Sequence, residues 1–207
     1  LSSIVLGVAW QDGGMNIWAA VALAVVVAGV CGALSGYFVA YCGVQPMVVT
    51  LGGSFLFTGV ALLVSNLSAT ESYKGISGFP DSFLQISKFK LFGVIPCQVI
   101  IFLVLAVIAY VLLNKTKYGR MVFLIGVNKD AAEFSGINTR LITMTTYILS
   151  GISAAIAGII LTSYIGTAKS DIGVTFTLPI ITAVVLGGTL STGAKGSVVG
   201  TALAAVV

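Results

Sequence analysis

Four apolar stretches, each long enough to cross a lipid bilayer, constrain this sequence more than any other feature. A spanning α-helix needs about 20 predominantly apolar residues, within a range of about 17–25. None of the stretches contains an acidic side chain; they are residues 17–41, 47–64, 95–113 and 141–165. We therefore expect an all-α fold, a polytopic transmembrane helix bundle with a short re-entrant or broken helix, in a single domain over residues 1–207.

The composition supports a lipid-covered surface. Charged residues make up 8% of the chain and hydrophobic residues 58%, whereas a soluble globular domain carries about 25% charged residues. So few charges disfavour the alternative, a soluble protein with an unusually apolar core. The chain starts at Leu1 and stops at Val207 inside an apolar run, so we expect a fragment truncated at both ends.

Two shorter apolar segments follow the fourth stretch. Residues 197–207 predict the start of a further span, whereas residues 178–187 are too short to cross and have glycine-rich flanks. Irregular backbone at membrane depth is tolerated where it lines a cavity or is buried in protein, and short interrupted segments mark transport pathways. We predict that residues 178–187 lie near a translocation path; whether they span or re-enter stays open.

The basic residues predict the orientation. Half of the lysines and arginines lie in the loop over residues 114–140. Lysine and arginine near helix ends favour the cytoplasmic side, so this loop is predicted to be cytoplasmic and the loop over residues 65–94 external. In that loop, Phe83, Ile86, Phe89 and Phe92 recur at helical spacing. The spacing indicates either a short helix on the membrane interface or on a partner protein, or an ordinary apolar cover for helix ends.

Small residues recur four apart in two of the stretches. Ala28, Gly32 and Gly36 do so in the first, and Gly151, Ala155 and Ile159 follow one side of the fourth. Small residues let membrane helices approach closely. The pattern therefore predicts a many-helix bundle, but it does not separate channels, transporters and membrane enzymes.

Groups for chemistry are scarce in this chain. It has no histidine, its serines have no nearby base, and its three cysteines lack metal-ligand spacing. We expect no catalytic residue, no metal site and no cofactor, and a membrane enzyme is disfavoured. Proton coupling is also disfavoured, because it relies on ionisable groups inside the membrane. The sequence favours a path for a neutral polar solute moved by energy supplied elsewhere; a self-powered secondary transporter or channel is the alternative.

Several polar residues and glycines could line such a path. The predicted set is Thr50, Ser54, Thr58, Thr182, Gly187 and Gly188, with Ser163, Tyr164 and Thr167 as further polar groups. Interhelical hydrogen bonding would explain the hydroxyl groups equally well.

The loop over residues 114–140 contains the signals of a short helix. Asn128 is predicted to be the N-cap, Asp130 falls in the first turn, and Gly136 is predicted to be the C-cap. A helix of roughly two turns is too short to be stable alone, so it needs a docking surface. A surface turn is the alternative.

Two patterns resemble the ribose-type permeases of ATP-binding-cassette importers, in the superfamily of branched-chain amino acid and sugar permeases. The first pattern is Tyr118-Gly119-Arg120 with Gly126-x-Asn128-x-x-Ala131-Ala132 and Ser135-Gly136-Ile137. The second is Ala183-Val184-Val185-Leu186-Gly187-Gly188-Thr189 with Gly193-x-x-Gly196-Ser197. Within the family, Gly75-Ile76-x-Gly78-Phe79-Pro80 is similar to permeases of autoinducer-2 import systems.

The resemblance implies an assembly in the bacterial inner membrane. Two permease subunits would pair, as a homo- or heterodimer, with cytoplasmic subunits that bind and hydrolyse ATP. A periplasmic solute-binding protein would deliver a small neutral solute of the sugar or autoinducer-2 class. We expect no nucleic-acid partner, because half of the ten lysines and arginines lie in one loop, which indicates a topology signal instead. The resemblance also implies a set of residues that couple the permease to the ATPase, namely Asn128, Asp130, Ala131, Ala132 and Gly136.

Overall fold

The computed structural model describes most of the chain. The described residues are 1–67, 75–80, 82–84, 90–91, 95–170, 173–189, 193 and 196–206. Within them most residues are α-helical, and the extended structure consists of one two-residue antiparallel ladder and one isolated bridge. The predicted all-α class is confirmed.

The structure gives bounds for nine α-helices within the described residues. In chain order they are α1 (Ser2–Gln11), α2 (Ile17–Ala40), α3 (Pro46–Leu67), α4 (Cys97–Lys115), α5 (Lys117–Val127), α6 (Lys129–Phe134), α7 (Thr139–Ile165), α8 (Thr177–Leu186) and α9 (Val198–Ala204). A 3-10 turn, Val174–Phe176, leads into α8, and strand β1 (Lys90–Leu91) pairs with β2 (Ile95–Pro96) before α4.

Helices α2, α3, α4 and α7 are long and apolar enough to cross a membrane. They coincide with the four predicted spans to within a few residues. The third predicted span, residues 95–113, places Pro96 in its first helical turn, and that placement is wrong. Ile95 and Pro96 are extended because they pair with β1. A residue that precedes proline, as Ile95 does, favours the extended conformation over the helical one. Helix α4 therefore begins at Cys97.

The sequence reasoning missed α1. Its ten residues are too few for a span, yet Ser3, Ile4, Leu6 and Gly7 are all buried. The helix packs against α2 and α3. Helix α1 is therefore part of the protein interior, although hydropathy alone does not identify it as a span.

The described chain divides into two compact units. Unit 1 comprises Leu1–Gln98 and Met144–Gly173, and unit 2 comprises Val99–Thr143 and Val174–Val207. The core of unit 1 joins α1, α2 and α7 to the segment over residues 75–84; its buried members are Leu6, Ile17, Ala24, Ile76, Phe79, Phe83, Ile159 and Ala168. Two backbone hydrogen bonds between Ile76 and Ala168, of 3.0 and 2.8 Å, fasten that segment to the end of α7.

Phe83 favours the apolar cover for helix ends among the alternatives predicted for the loop over residues 65–94. Its side chain is buried in the unit 1 core rather than presented to a membrane interface, and its carbonyl accepts a 2.8 Å hydrogen bond from the Ser163 hydroxyl. Lys90–Leu91 is a strand, so a helix does not run to residue 92. Ile86, Phe89 and Phe92 lie outside the described residues.

Helices α2 and α7 approach at their glycines. A Cβ atom added to Gly32 would lie 2.5 Å from the Tyr147 carbonyl oxygen, and one added to Gly151 would lie 2.6 Å from the Ala28 carbonyl oxygen. A Cβ on Gly36 would lie 3.0 Å from the Met144 Cα. The two backbones are therefore in direct contact, and the predicted use of small residues for close packing is confirmed.

A buried hydroxyl pair joins α1 to α7. The oxygens of Ser3 and Thr162 are 2.7 Å apart, and Thr162 Oγ1 also lies 2.7 Å from the Gly158 carbonyl oxygen. One hydroxyl proton serves only one of these contacts, so Thr162 donates to Gly158 and Ser3 donates to Thr162. Next to this pair, a Cβ on Gly158 would meet Ser2 Oγ at 2.8 Å.

Candidate functional site

The predicted coupling residues lie in unit 2, within residues 128–137 (the coupling segment), and an amphipathic helix precedes them. Helix α5 begins at an N-cap, where the Thr116 hydroxyl accepts a hydrogen bond from the Gly119 amide at 3.3 Å. Sequence reasoning did not separate this helix from the loop. The available signal was Thr116 directly before the run that starts at Lys117.

Helix α6 is capped at both ends by the residues that the sequence singled out. At the N-terminus, Asn128 Oδ1 accepts from the Ala131 amide at 3.0 Å, and Asp130 sits in the first turn, where a negative charge is stabilised. At the C-terminus, Gly136 has a φ of 80°. Its amide donates to Glu133, and the Ile137 amide donates to Ala132, at 3.0 and 3.1 Å. This is a Schellman motif, and the predicted caps are confirmed.

The two faces of α6 differ sharply in exposure. Ala132 is buried, whereas Asp130, Ala131 and Glu133 are exposed and Phe134 is 92% exposed. At about 100° per residue, Asp130 and Phe134 lie about 160° and 200° around the helix from Ala132. The outward face therefore presents a carboxylate and an aromatic ring one turn apart.

The predicted coupling residues thus divide into two groups. Asn128 and Gly136 fix the ends of α6 and Ala132 seats its inner face, so these three determine the shape and placement of the helix. Asp130 and Ala131 lie on the exposed side and are available for contact. Sequence reasoning missed Phe134, although an aromatic residue in an otherwise polar helix, four positions after Asp130, was a usable signal.

The second predicted element is the short helix α8, which ends like α6. Gly188 has a φ of 83°, its amide donates to Val185 at 3.0 Å, and the Thr189 amide donates to Val184 at 3.2 Å. These bonds form another Schellman motif. The helix is ten residues long, so the predicted short segment is confirmed as a helix.

Gly187 holds α8 against α9. A Cβ added to Gly187 would collide with the backbone at Thr201, and one added to Gly200 would collide with the Gly187 carbonyl oxygen. The Thr189 and Thr201 hydroxyl oxygens lie 3.3 Å apart beside this contact. Gly187 and Gly188 therefore have packing and chain-reversal roles, while their predicted role in translocation stays a prediction.

The remaining predicted path residues lie on two helices. Thr50, Ser54 and Thr58 follow one side of α3 at four-residue spacing, and their hydroxyls donate to α3 carbonyls at 3.0, 2.7 and 2.7 Å. Thr182 on α8 donates to the Leu178 carbonyl at 2.9 Å. Donation within the helix leaves each hydroxyl oxygen free to accept a hydrogen bond from a solute.

A cavity of about 490 Å³ lies in unit 2, between α4, α5 and α9. Its wall is mainly apolar and includes Phe102, Ala106, Val122, Phe123 and Ala202. Of its polar groups, Ser197 Oγ accepts from the Gly200 amide at 3.1 Å, and Thr201 donates to the Ser197 carbonyl. The volume of the cavity is within the range of small-molecule sites, but its wall offers few hydrogen-bonding groups to a polar solute.

Comparison with known proteins identifies the family. The family described as branched-chain amino acid transport system, permease component, matches residues 1–207. The autoinducer 2 import system permease protein LsrD of Yersinia enterocolitica is 42% identical over 207 residues, which is 100% of this chain and 62% of that protein. The LsrD of Photorhabdus luminescens is 41% identical over 204 residues, covering 99% of this chain and 61% of the relative.

The LsrD of Salmonella choleraesuis gives 41% identity over 207 residues, 100% of this chain and 62% of the relative. The chain thus spans about 62% of the length of the curated relatives that it matches. No solved structure matches. The resemblance seen in the sequence is confirmed: the chain is a multi-pass membrane protein and belongs to the family of branched-chain amino acid transport system permease components.

Proposed function

We propose that this chain is the larger part of a permease subunit of an ATP-binding-cassette importer. The observation that carries the proposal is helix α6, which is capped at both ends and exposed on its outer face in a member of a transport permease family. In the importer, this helix docks on a cytoplasmic ATP-binding subunit and transmits its movement to the membrane helices.

The geometry of α6 suits force transmission. An isolated six-residue helix would melt, but its caps and the buried Ala132 hold its shape. Only Asn128 separates it from α5, and residues 135–138 join it to α7. A capped helix with short connections moves together with the neighbouring helices, whereas a flexible loop would absorb the motion.

The membrane helices support an external energy source. The candidate spans α2, α3 and α4 carry no acidic residue, and neither does α7. Ion-coupled carriers rely on such groups inside the membrane. Energy from ATP, delivered at the cytoplasmic loop over residues 114–140, fits a path lined by neutral hydroxyl groups.

The relatives point to the solute and to the partners. Three of them carry the name autoinducer 2 import system permease. We propose that the solute is small, neutral and polar, of the autoinducer-2 or sugar class, and that a periplasmic binding protein delivers it. A second permease subunit completes the path in the bacterial inner membrane, with Thr50, Ser54, Thr58 and Thr182 contributing hydroxyls to it.

Exchange of α6 in the full-length subunit tests the proposal. Residues 129–134 are replaced by glycine and serine, and the importer is reconstituted with its ATP-binding subunits and binding protein. We expect the ATPase to dissociate from the permease and ATP-driven uptake of autoinducer-2 to stop, while the permease stays in the membrane. Uptake that continues at the same rate without any ATP-binding subunit would instead establish a self-powered carrier.

A further inference from the structure

Phe134 is the most exposed large apolar side chain of the described residues, at 92%. Other highly exposed apolar side chains, such as Phe55 at 78% and Leu178 at 75%, lie on predominantly apolar helices that carry no charged residue. Lipid or membrane helices can cover those. Phe134 lies on α6, whose six residues include Lys129, Asp130 and Glu133, so its exposure needs a different explanation.

The position of Phe134 on α6 makes it the centre of the outward face. It lies about 200° around the helix from the buried Ala132, between Ala131 at about 260° and Asp130 at about 160°. Glu133 lies at about 100° and is also exposed. The face therefore offers one large ring with two carboxylates on one side of it and a small side chain on the other.

The charges beside Phe134 indicate which kind of surface the outward face of α6 can bind. A cytoplasmic membrane leaflet is negatively charged and attracts basic segments, whereas the groups beside Phe134 are acidic. Lys129 is also exposed, but it lies about 140° around the helix from Phe134, farther from the ring than either carboxylate. An anionic lipid surface would repel Asp130 and Glu133 at the depth at which the ring enters the membrane. A protein pocket with an apolar floor and a basic rim accommodates both groups.

We propose that Phe134 is the anchor of the coupling segment, seated in an apolar pocket of the ATP-binding subunit whose rim carries lysine or arginine opposite Asp130 and Glu133. The inference rests on the proposed function and adds the residue that carries the contact. Buried aromatic side chains at the centre of an interface dominate its affinity. A ring held in a pocket also lets the partner pull on α6 as well as push on it.

Truncation of the ring in the complete importer tests the anchor. In the Phe134→Ala variant of the full-length subunit, we expect at least about tenfold weaker retention of the ATP-binding subunit and a matching fall in ATP-driven uptake. Phe134→Leu keeps an apolar side chain and should retain most of both. Phe55→Ala removes an equally large exposed ring from α3 and should leave both unchanged.

Comparison with the exchange of the whole helix separates the two proposals. If the glycine-serine exchange of residues 129–134 abolishes retention while Phe134→Ala retains the ATPase as wild type does, the anchor is overturned and the proposed function stands. If neither variant changes retention or uptake, the proposed function fails as well.

Accessibility at the same position distinguishes a protein pocket from a lipid surface. A Phe134→Cys variant, in a background without other cysteines, is exposed to a membrane-impermeant maleimide in inside-out vesicles. We expect fast labelling in vesicles that lack the ATP-binding subunit and at least about tenfold slower labelling when it is bound. Slow labelling in the absence of that subunit would show that the side chain enters lipid, and would overturn the proposal.

Discussion

Small residues have different roles at the α2–α7 crossing and in helix α6. At the crossing, Gly32 and Gly151 bring two backbones into contact, and no atom larger than hydrogen fits between them. On α6, Gly136 ends a helix and nothing lies within 4 Å of an added Cβ. The crossing is therefore complete within unit 1, whereas α6 has a fixed shape and an open face. Stability should depend on the first and communication with a partner on the second.

A methyl group at the crossing should have the largest effect on stability. Gly32→Ala places a Cβ 2.5 Å from the Tyr147 carbonyl oxygen, so the backbones must separate. We expect the free energy of unfolding of the full-length subunit, measured by titration with sodium dodecyl sulfate, to fall by about 1–3 kcal/mol. Gly29→Ala is the matched control, because its nearest atom, Ile152 Cγ1, is 3.6 Å away. Equal stability of the two variants would contradict close packing at Gly32.

The corresponding change on α6 should leave global stability almost unchanged and impair transport. Gly136→Ala forces an L-residue into a φ of 80°, at a cost of about 1–2 kcal/mol that opens the C-terminal turn. We expect a several-fold loss of ATP-driven uptake with an unchanged unfolding midpoint. Asparagine tolerates this conformation better than alanine, so Gly136→Asn should recover part of the uptake. If Gly136→Ala transports as well as wild type, the shape of α6 is not required.

Loss of the N-cap of α6 should also lower ATP-driven uptake, but by less than Gly136→Ala does. Asn128→Ala removes the 3.0 Å bond to the Ala131 amide, a change that costs a helix about 1 kcal/mol. Asn128→Ser keeps a capping oxygen and serves as the control. We expect uptake to fall in the alanine variant and to stay near wild type in the serine variant. A similar loss in both would indicate that the asparagine contacts the partner rather than capping the helix.

The smallest effect should come from the hydroxyl pair between α1 and α7. Thr162→Val removes the contact with Ser3 while keeping the shape of the side chain. Hydrogen bonds between membrane helices contribute about 0.6 kcal/mol on average, so we expect a loss of that order in the same titration. In a Ser3→Ala background, Thr162→Val should cost less than it does alone, because the bond between the two hydroxyls is already gone and only the bond to Gly158 is lost. Fully additive losses would mean that the two hydroxyls do not interact.

Local and periodic features of the fold were predictable. The four spans follow from apolar runs, and the caps of α6 follow from Asn128 and Gly136, because each depends on neighbouring residues only. The crossing was foreseeable as a pattern of small residues on α2 and α7, although the sequence did not show that the two patterns face each other.

Features that depend on distant neighbours were not predictable. Helix α1 is too short to register as a span, and its burial depends on partners such as Thr162, 159 positions away from Ser3. The exposure of Phe134 was not predicted, because a large apolar side chain is expected to be buried by other residues of the same chain. Pro96 was placed in a helix because the pairing of β1 with β2 was not foreseen.

The central claim is that α6 docks on an ATP-binding subunit. Ala131 lies on its exposed side, so a photo-crosslinking amino acid at this position of the full-length subunit, irradiated in native membranes, tests the claim most directly. The same substitution at Gly52, where nothing lies within 4 Å of an added Cβ on α3, should give adducts with lipid. The main product at position 131 should be a covalent adduct with the ATP-binding subunit. Adducts with lipid alone at position 131 would contradict it.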